Sequence, residues 1–233
     1  MDVLHPALVL FDIDGTLVRR AGPHHREALV VGVRRVTGLE TTTEGIPVQG
    51  MLDPDIIRIM MQRAGARAAQ IRAALPAVQE AAERYYLRVC PPLHDRHCPG
   101  VGAVLEKLRR RGILLGLVTG NLTRIGWRKL ARAGLRQYFR YGAFGEMAKT
   151  RAGLARLAIR EARAQGWIER GAPISLVGDA PQDIEAARAN GIRSISVQTG
   201  ITPVAELIAL APDVMLRDLR ELRLRTVEYH PTL

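Results

Sequence analysis

Two carboxylates separated by a single residue stand directly after an apolar run near the start of the chain. Residues 7–11 have the length and branching of a buried parallel strand, and Asp12, Ile13, Asp14 and Gly15 follow them. In an open α/β sheet, ligands collect at the carboxyl ends of strands, because the loops there are held rigidly and stay open to solvent. An ordinary Asp-Gly turn would also explain these residues, so the chemical interpretation needs partners elsewhere in the chain.

Two later apolar runs also end in polar residues. One ends in Thr119, Gly120 and Asn121, where a hydroxyl and exposed amides suit the binding of a phosphoryl oxygen. The other ends in Asp179, with Asp183 four residues later. Carboxylates at neighbouring strand ends are ligands that Mg²⁺ prefers. A capped helix start would explain the second pair equally well.

The string Phe-Asp-Ile-Asp-Gly-Thr-Leu at residues 11–17 resembles the first signature of the haloacid dehalogenase superfamily, the aspartate-nucleophile phosphatases. The later signatures of that superfamily have matches in the expected order: Thr119 after a strand, then a cation, then Asp179 after a glycine. The cation is Lys149 or Arg151, since either could neutralise charge on the nucleophile and the phosphoryl group. The sequence leaves this choice open.

The resemblance implies a role for each of these residues. Asp12 is expected to attack phosphorus and form an aspartyl-phosphate, and Asp14 to protonate the leaving oxygen and later activate water. The implied metal ligands are the carboxylates of Asp12 and Asp179 and the backbone carbonyl of Asp14, with Asp183 supporting the site from behind. Besides the cation, the residues expected to contact the phosphoryl group are Gly15, Thr16, Thr119, Gly120 and Asn121.

Alternating strand and helix patterns over the second half of the chain predict a doubly wound parallel sheet, an α/β fold. Helical patterns without a convincing strand cover residues 23–37, 53–64, 69–75 and 76–89, the second of them opened by Asp53 as N-cap. We therefore expect an α/β core from residues 1–18 and 92–233 and an inserted all-helical cap domain from 19–91. Residues 50–54 and 141–145 resemble the phosphoglycolate phosphatase-like branch, which has such a cap.

Composition and charge narrow the class of protein. With 233 residues and 47% hydrophobic content, the chain fits a soluble globular protein, and no apolar run approaches membrane-spanning length. The first six residues carry no basic region ahead of a long apolar one, so we expect no signal peptide and a cytoplasmic location. The net charge is +11, with ten basic residues and one acidic residue between 105 and 140. Because aromatic residues make up only 4% of the chain, we interpret this stretch as a solvated helix face and expect no nucleic-acid partner.

The residues and the resemblance together predict a Mg²⁺-dependent phosphatase that hydrolyses a small, phosphoglycolate-like phosphorylated metabolite. A sugar-phosphate mutase would share every core residue, and a non-catalytic, basic nucleic-acid-binding protein is the alternative from another class. A dehalogenase proper attacks carbon without Mg²⁺ and typically lacks the second aspartate, so Asp14 and Asp179 argue against it. The candidates for contacting an anionic leaving group are Arg19, Arg20, His24, His25 and Arg26.

Overall fold

The computed structural model describes residues 4–19 and 22–229, which contain one six-stranded sheet in the order β3-β2-β1-β4-β5-β6. All neighbouring strands run parallel. The strand order reverses beside β1 and β4, and in such sheets a crevice opens at that point outside the carboxyl ends of the strands. The predicted doubly wound fold is therefore confirmed. The strands are β1 (Leu8–Phe11), β2 (Leu114–Val118), β3 (Tyr141–Ala143), β4 (Ile174–Gly178), β5 (Arg193–Val197) and β6 (Val214–Leu216).

Helices cover the sheet and form an insertion after β1. The inserted helices, which we call the helical cap, are α1 (His24–Thr37), α2 (Asp53–Arg63) and α3 (Ala68–Val89). The helices of the core are α4 (Val101–Arg110), α5 (Thr123–Arg132), α6 (Arg151–Ala164), α7 (Pro181–Ala189), α8 (Val204–Ala209) and α9 (Leu224–Val227).

Strand β1 is buried on both faces of the sheet. Val9 and Phe11 belong to one hydrophobic cluster, while Leu8 and Leu10 belong to a second one on the opposite face. Because helices cover both faces, every residue of the strand must be apolar, which explains the continuous apolar run in the sequence. Asp12 is the first polar residue after the strand, so it lies at the carboxyl end of β1.

Among the described residues, the helical cap contains three helices where the sequence predicted four. The predicted break at Pro76 is absent, because Pro76 lies inside α3. Proline removes one hydrogen bond to the carbonyl four residues earlier, but packing of α3 along α1 keeps the helix continuous. The two helices approach closely at Gly32, where an added Cβ would meet the Val78 carbonyl at 2.8 Å.

The chain crosses between the core and the cap through two segments that lie side by side. Val18 forms an antiparallel bridge with His97. Next to it, the Arg19 amide donates to the Arg96 carbonyl over 2.6 Å and the Cys98 amide donates to the Leu17 carbonyl over 3.1 Å. The inserted helices lie within residues 19–91, and the limits of a separate cap domain stay a prediction.

No helix within residues 4–19 and 22–229 combines the length and apolar character that a membrane span requires. The cytoplasmic location expected from the sequence stays a prediction.

Candidate active site

Polar residues that follow three strands line one cavity, which lies between the carboxyl ends of the strands and the helical cap. Asp12 follows β1, Thr119 follows β2, and Asp179 follows β4. All three line a cavity of about 810 Å³. Strands β2, β1 and β4 are neighbours in the sheet, so their carboxyl ends bring together residues that are more than 160 positions apart in the chain.

Three buried carboxylates lie close together at this end of the sheet, and two of them, Asp12 and Asp179, line the cavity. Oxygen atoms of Asp12, Asp179 and Asp183 lie within 4.8 Å of one another. Burial raises the pKa of Asp179 well above its usual value, and the negative charges of Asp12 and Asp183 act in the same direction. Burial also raises the pKa of Asp183 to about 7, although the nearby Arg151 opposes this. A divalent cation would relieve this crowding, and hard carboxylate oxygens suit Mg²⁺.

The loop after β1 shapes the surroundings of Asp179. Gly15 has a φ of 84°, a conformation that favours glycine, and a Cβ at this position would overlap the Asp179 carboxylate. The Thr16 hydroxyl donates to Asp179 Oδ1 over 3.1 Å. Thr16 is fully buried and is absent from the described residues that line the cavity. In this structure Thr16, which was predicted as a phosphate contact, orients Asp179 through this hydrogen bond.

The two candidate cations have different positions. Arg151, the first residue of α6, is buried, and its Nη1 donates to Asp12 Oδ1 over 3.0 Å and to the Val118 carbonyl over 3.1 Å. Its Nε lies 3.2 Å from Asp183 Oδ1. Burial lowers the pKa of Arg151, but Asp12 and Asp183 more than offset this, so the guanidinium stays protonated. Lys149 is exposed and does not appear among the described residues of the cavity wall, so the geometry favours Arg151.

Asp14 is held by side chains from α5 and from the loop before it. Lys129 Nζ lies 2.7 and 2.6 Å from the two carboxylate oxygens, and Asn121 Nδ2 donates to Oδ2 over 2.8 Å. Burial alone would raise the pKa of Asp14, but the positive charge of Lys129 and the hydrogen bonds from Lys129 and Asn121 outweigh it, so the pKa is lowered. The Asp14 side chain is still 40% exposed, toward the cavity.

Lys129 is a site residue that the sequence analysis missed, because it was counted within the basic stretch. A signal for it did exist in the spacing. The buried residues of α5 are Ile125, Gly126, Lys129 and Leu130, which is the spacing of one helix face. A lysine in the middle of an otherwise apolar face indicates a buried charge with a partner.

Gln49 was also missed, and no pattern in the sequence singles it out. It lies in the loop between α1 and α2 of the helical cap, and its Nε2 donates to Asp179 Oδ2 over 2.6 Å. The cap therefore contacts a candidate metal ligand directly. The cap also contacts Gly120, an expected phosphate contact, because the Gly120 carbonyl accepts from the Asp53 amide over 2.8 Å.

Asp53 does not act as the N-cap that the sequence analysis expected. It is the first residue of α2, and the N-cap position is taken by Leu52. The buried Asp53 carboxylate instead accepts from the Leu122 amide over 2.8 Å and from His25 Nε2 over 2.9 Å. Its partners belong to other elements, so helix-start statistics could not reveal this role.

Several cations surround the open part of the cavity. Of the candidates for contacting an anionic leaving group, Arg19, His25 and Arg26 line the wall, and Arg96 joins them from the second crossing segment. His24 is absent from the described lining residues. Arg20 lies outside the part of the chain that the structure describes.

The basic stretch between residues 105 and 140 does not form one continuous free surface. Arg136 stacks on Trp127 at 3.8 Å from the ring centroid, and Arg140 stacks on Trp167 at 4.2 Å. Arg132 Nε donates to the Pro91 carbonyl over 3.1 Å. Because several of these side chains have structural partners, the stretch gives little support to a nucleic-acid interface.

Comparison with known proteins gives a consistent result. Residues 6–191 match the family model of a hydrolase group, the haloacid dehalogenase-like hydrolases. A phosphoglycolate phosphatase from Agrobacterium fabrum is 31% identical over 224 residues, which cover 92% of this chain and 90% of that protein. A phosphoglycolate phosphatase from Synechococcus elongatus is 36% identical over 120 residues, 51% of this chain and 53% of that protein. This second match therefore spans about half the length of the relative.

A solved structure resembles most of the chain. The crystal structure of a predicted phosphoglycolate phosphatase from Haemophilus somnus has a TM-score of 0.66 at 22% sequence identity. The match covers 91% of this chain and 94% of that one. At this identity, the likeness concerns the fold.

Proposed function

The chain belongs to the haloacid dehalogenase-like hydrolases, and from this premise we propose that it is a Mg²⁺-dependent phosphatase acting on a small phosphomonoester. The observation that carries the proposal is the cluster of three buried carboxylates with Arg151. Asp12, Asp179 and Arg151 of this cluster line one cavity. Hydrolysis of a phosphate ester requires an anionic nucleophile to approach an anionic phosphorus, so positioned positive charge is the main need.

The metal site would use ligands that the geometry brings together. Asp12 and Asp179 would hold Mg²⁺ with their carboxylates, and the family resemblance adds the backbone carbonyl of Asp14. When bound, the metal supplies positive charge beside the phosphoryl oxygens. Asp183 would act through its ion pair with Arg151, since it does not reach the cavity wall among the described residues.

Asp12 would be the nucleophile. One of its carboxylate oxygens forms a bond to phosphorus while the ester bond to the leaving oxygen breaks, which gives an aspartyl-phosphate. Arg151 already fixes the carboxylate through Oδ1 and is itself fixed by the Val118 carbonyl. The cation thus both orients the nucleophile and offsets negative charge on the phosphoryl group.

Asp14 would be the general acid and base. In its protonated form Asp14 would give its proton to the leaving oxygen in the first step, and the carboxylate left behind would take a proton from the water that attacks the aspartyl-phosphate in the second. Its exposed part faces the cavity, two residues from Asp12. The amides around Gly15 and Gly120 and the side chains of Thr119 and Asn121 would hold the phosphoryl oxygens.

The cations Arg19, Arg26 and Arg96 at the cavity wall support a leaving group that carries its own negative charge. Phosphoglycolate, with a carboxylate next to the ester, has this property, and the two relatives described above are named phosphoglycolate phosphatases. We therefore propose a phosphoglycolate-like substrate. The partner is then a small phosphorylated metabolite.

The test is phosphate release from a panel of phosphorylated metabolites and from para-nitrophenyl phosphate, with and without Mg²⁺. We expect Mg²⁺-dependent release that Asp12→Asn abolishes, with an unchanged circular dichroism spectrum. Full activity of this variant would exclude Asp12 as the nucleophile. Transfer of the phosphoryl group to a sugar hydroxyl in place of water would identify the mutase alternative.

A further inference from the structure

The proposed mechanism gives no role to Lys129, a charged side chain in contact with Asp14. Lys129 projects from α5 of the core and is only 1% exposed. Its Nζ lies 2.7 and 2.6 Å from the two Asp14 oxygens, 2.7 Å from Asn121 Oδ1 and 3.1 Å from His25 Nδ1. A buried ammonium group is costly unless its three N–H donors find acceptors, and here four acceptor atoms lie within hydrogen-bond distance.

The ion pair between Lys129 and Asp14 is asymmetric. The lysine is enclosed by the protein, while the Asp14 side chain is 40% exposed toward the cavity. The ammonium is therefore the fixed member and the carboxylate is the member that it holds. Contact with both oxygens limits rotation of the carboxylate, and Asn121 Nδ2 limits it further through Oδ2.

Beyond Lys129, a pair of side chains from the helical cap completes the arrangement. His25 of α1 is in contact with Lys129 through Nδ1 and with Asp53 through Nε2 over 2.9 Å. An ammonium can only donate, so Nδ1 accepts and Nε2 donates to Asp53. Asp53 is fixed in turn by the Leu122 amide over 2.8 Å. A continuous chain of polar contacts thus runs from the cap to Asp14.

We propose that Lys129 is a positioning residue for Asp14, and that His25 and Asp53 of the helical cap hold its ammonium group in place. This inference rests on the proposed function, because it matters only if Asp14 transfers protons. Proton transfer requires the carboxyl oxygen to stand within hydrogen-bond reach of the leaving oxygen. A displacement of a catalytic group by about 1 Å can cost about 100-fold in rate.

The direct test compares Lys129→Met and Lys129→Arg with Lys107→Met, a control at an exposed position of α4. The measurement is leaving-group release in a single turnover, which isolates the first chemical step. For phosphoglycolate, whose alkoxide leaving group needs a proton, we expect Lys129→Met to slow release by about 100-fold or more, and Lys129→Arg to recover part of it. For para-nitrophenyl phosphate, whose leaving group needs little protonation, we expect a loss of about tenfold or less.

A double-mutant cycle with Asp14→Asn separates positioning from a general structural effect. In the Asp14→Asn background, Lys129→Met should change the rate by no more than about twofold, because the group that it positions is already inactive. Equal losses on both substrates, or losses that multiply in the double variant, would overturn the inference. Full activity of Asp14→Asn would instead overturn the proposed role of Asp14.

His25→Leu provides a second route to the same answer if Lys129→Met does not fold. This substitution leaves Lys129 and Asp14 in place and removes only the contact from the cap. We expect a loss of about tenfold that again depends on the leaving group and disappears in the Asp14→Asn background. An unchanged rate with phosphoglycolate would remove the cap residues from the proposal.

Discussion

Arg151 Nη1 donates a hydrogen bond of 3.0 Å to Asp12 Oδ1, and both side chains are 6% exposed. The same guanidinium group contacts the Val118 carbonyl and lies beside Asp183. One planar cation thus connects the candidate nucleophile, a strand end and a supporting carboxylate. The following predictions test this arrangement and the metal site next to it.

The first prediction concerns the choice between Arg151 and Lys149. Arg151→Met should lower kcat by about 100-fold or more, because the nucleophile loses its positioning partner and the phosphoryl group a cation. Arg151→Lys should recover only part of the rate, since an ammonium group cannot make the same set of directed contacts. Lys149→Met should leave the kinetics near those of the natural chain. A large loss in this last variant would contradict the assignment to Arg151.

The second prediction concerns Gly15. Gly15→Ala should destabilise the protein by about 1–2 kcal/mol through its positive φ and should also abolish Mg²⁺-dependent activity, because the new Cβ would displace the Asp179 carboxylate. Gly38→Ala is the matched control. Gly38 has a φ of 71° and nothing within 4 Å of an added Cβ, so only the backbone strain should appear. Denaturant unfolding and phosphate release distinguish the two effects. Equal activity in both variants would contradict the prediction.

The third prediction concerns the pH dependence of stability without metal. Burial raises the pKa of Asp183 to about 7, so the folded chain binds this proton more tightly than the unfolded chain does. The contribution of Asp183 to the free energy of unfolding should therefore fall as the pH rises from about 4 to about 7.

The comparison with Asp183→Asn isolates this contribution. Other carboxylates, such as those of Asp14 and Glu106, have lowered pKa values and add stability over part of the same range in both proteins. The unfolding free energy of the natural chain, minus that of the variant, should decrease as the pH rises. A shift in the opposite direction would contradict the raised pKa.

The fourth prediction concerns metal binding. At pH 7, Mg²⁺ at 100 times its Kd should raise the free energy of unfolding by about 2.7 kcal/mol, provided that it binds only the folded chain. At the same Mg²⁺ concentration, the gain in unfolding free energy should be smaller at pH 5, because protons compete for the same carboxylates. Asp179→Asn should remove the gain, and Asp95→Asn, at an exposed carboxylate, should retain it. Equal stabilisation of both variants would place the metal elsewhere.

The strands of the sheet and the residues at their carboxyl ends could be predicted from local sequence. An apolar run buried on both faces is readable in the sequence of β1, and the first polar residues after such a run must lie at the strand end. Asp12, Thr119 and Asp179 follow three different strands. They lie close together because the carboxyl ends of neighbouring parallel strands lie side by side. The apolar pattern of a strand and the polar residues after it are local properties of the chain, so they needed no knowledge of distant contacts.

The tertiary structure decided which side chains complete the site. Lys149 and Arg151 are two residues apart, and only the start of α6 determines that Arg151 points to Asp12 while Lys149 is exposed. Pairing of Lys129 with Asp14 depends on how α5 packs against the core, and the contact of Gln49 with Asp179 depends on the position of the helical cap. These contacts join side chains more than 100 residues apart. Because a long side chain can reach different partners with small changes in the packing of its helix or loop, sequence spacing alone does not determine them.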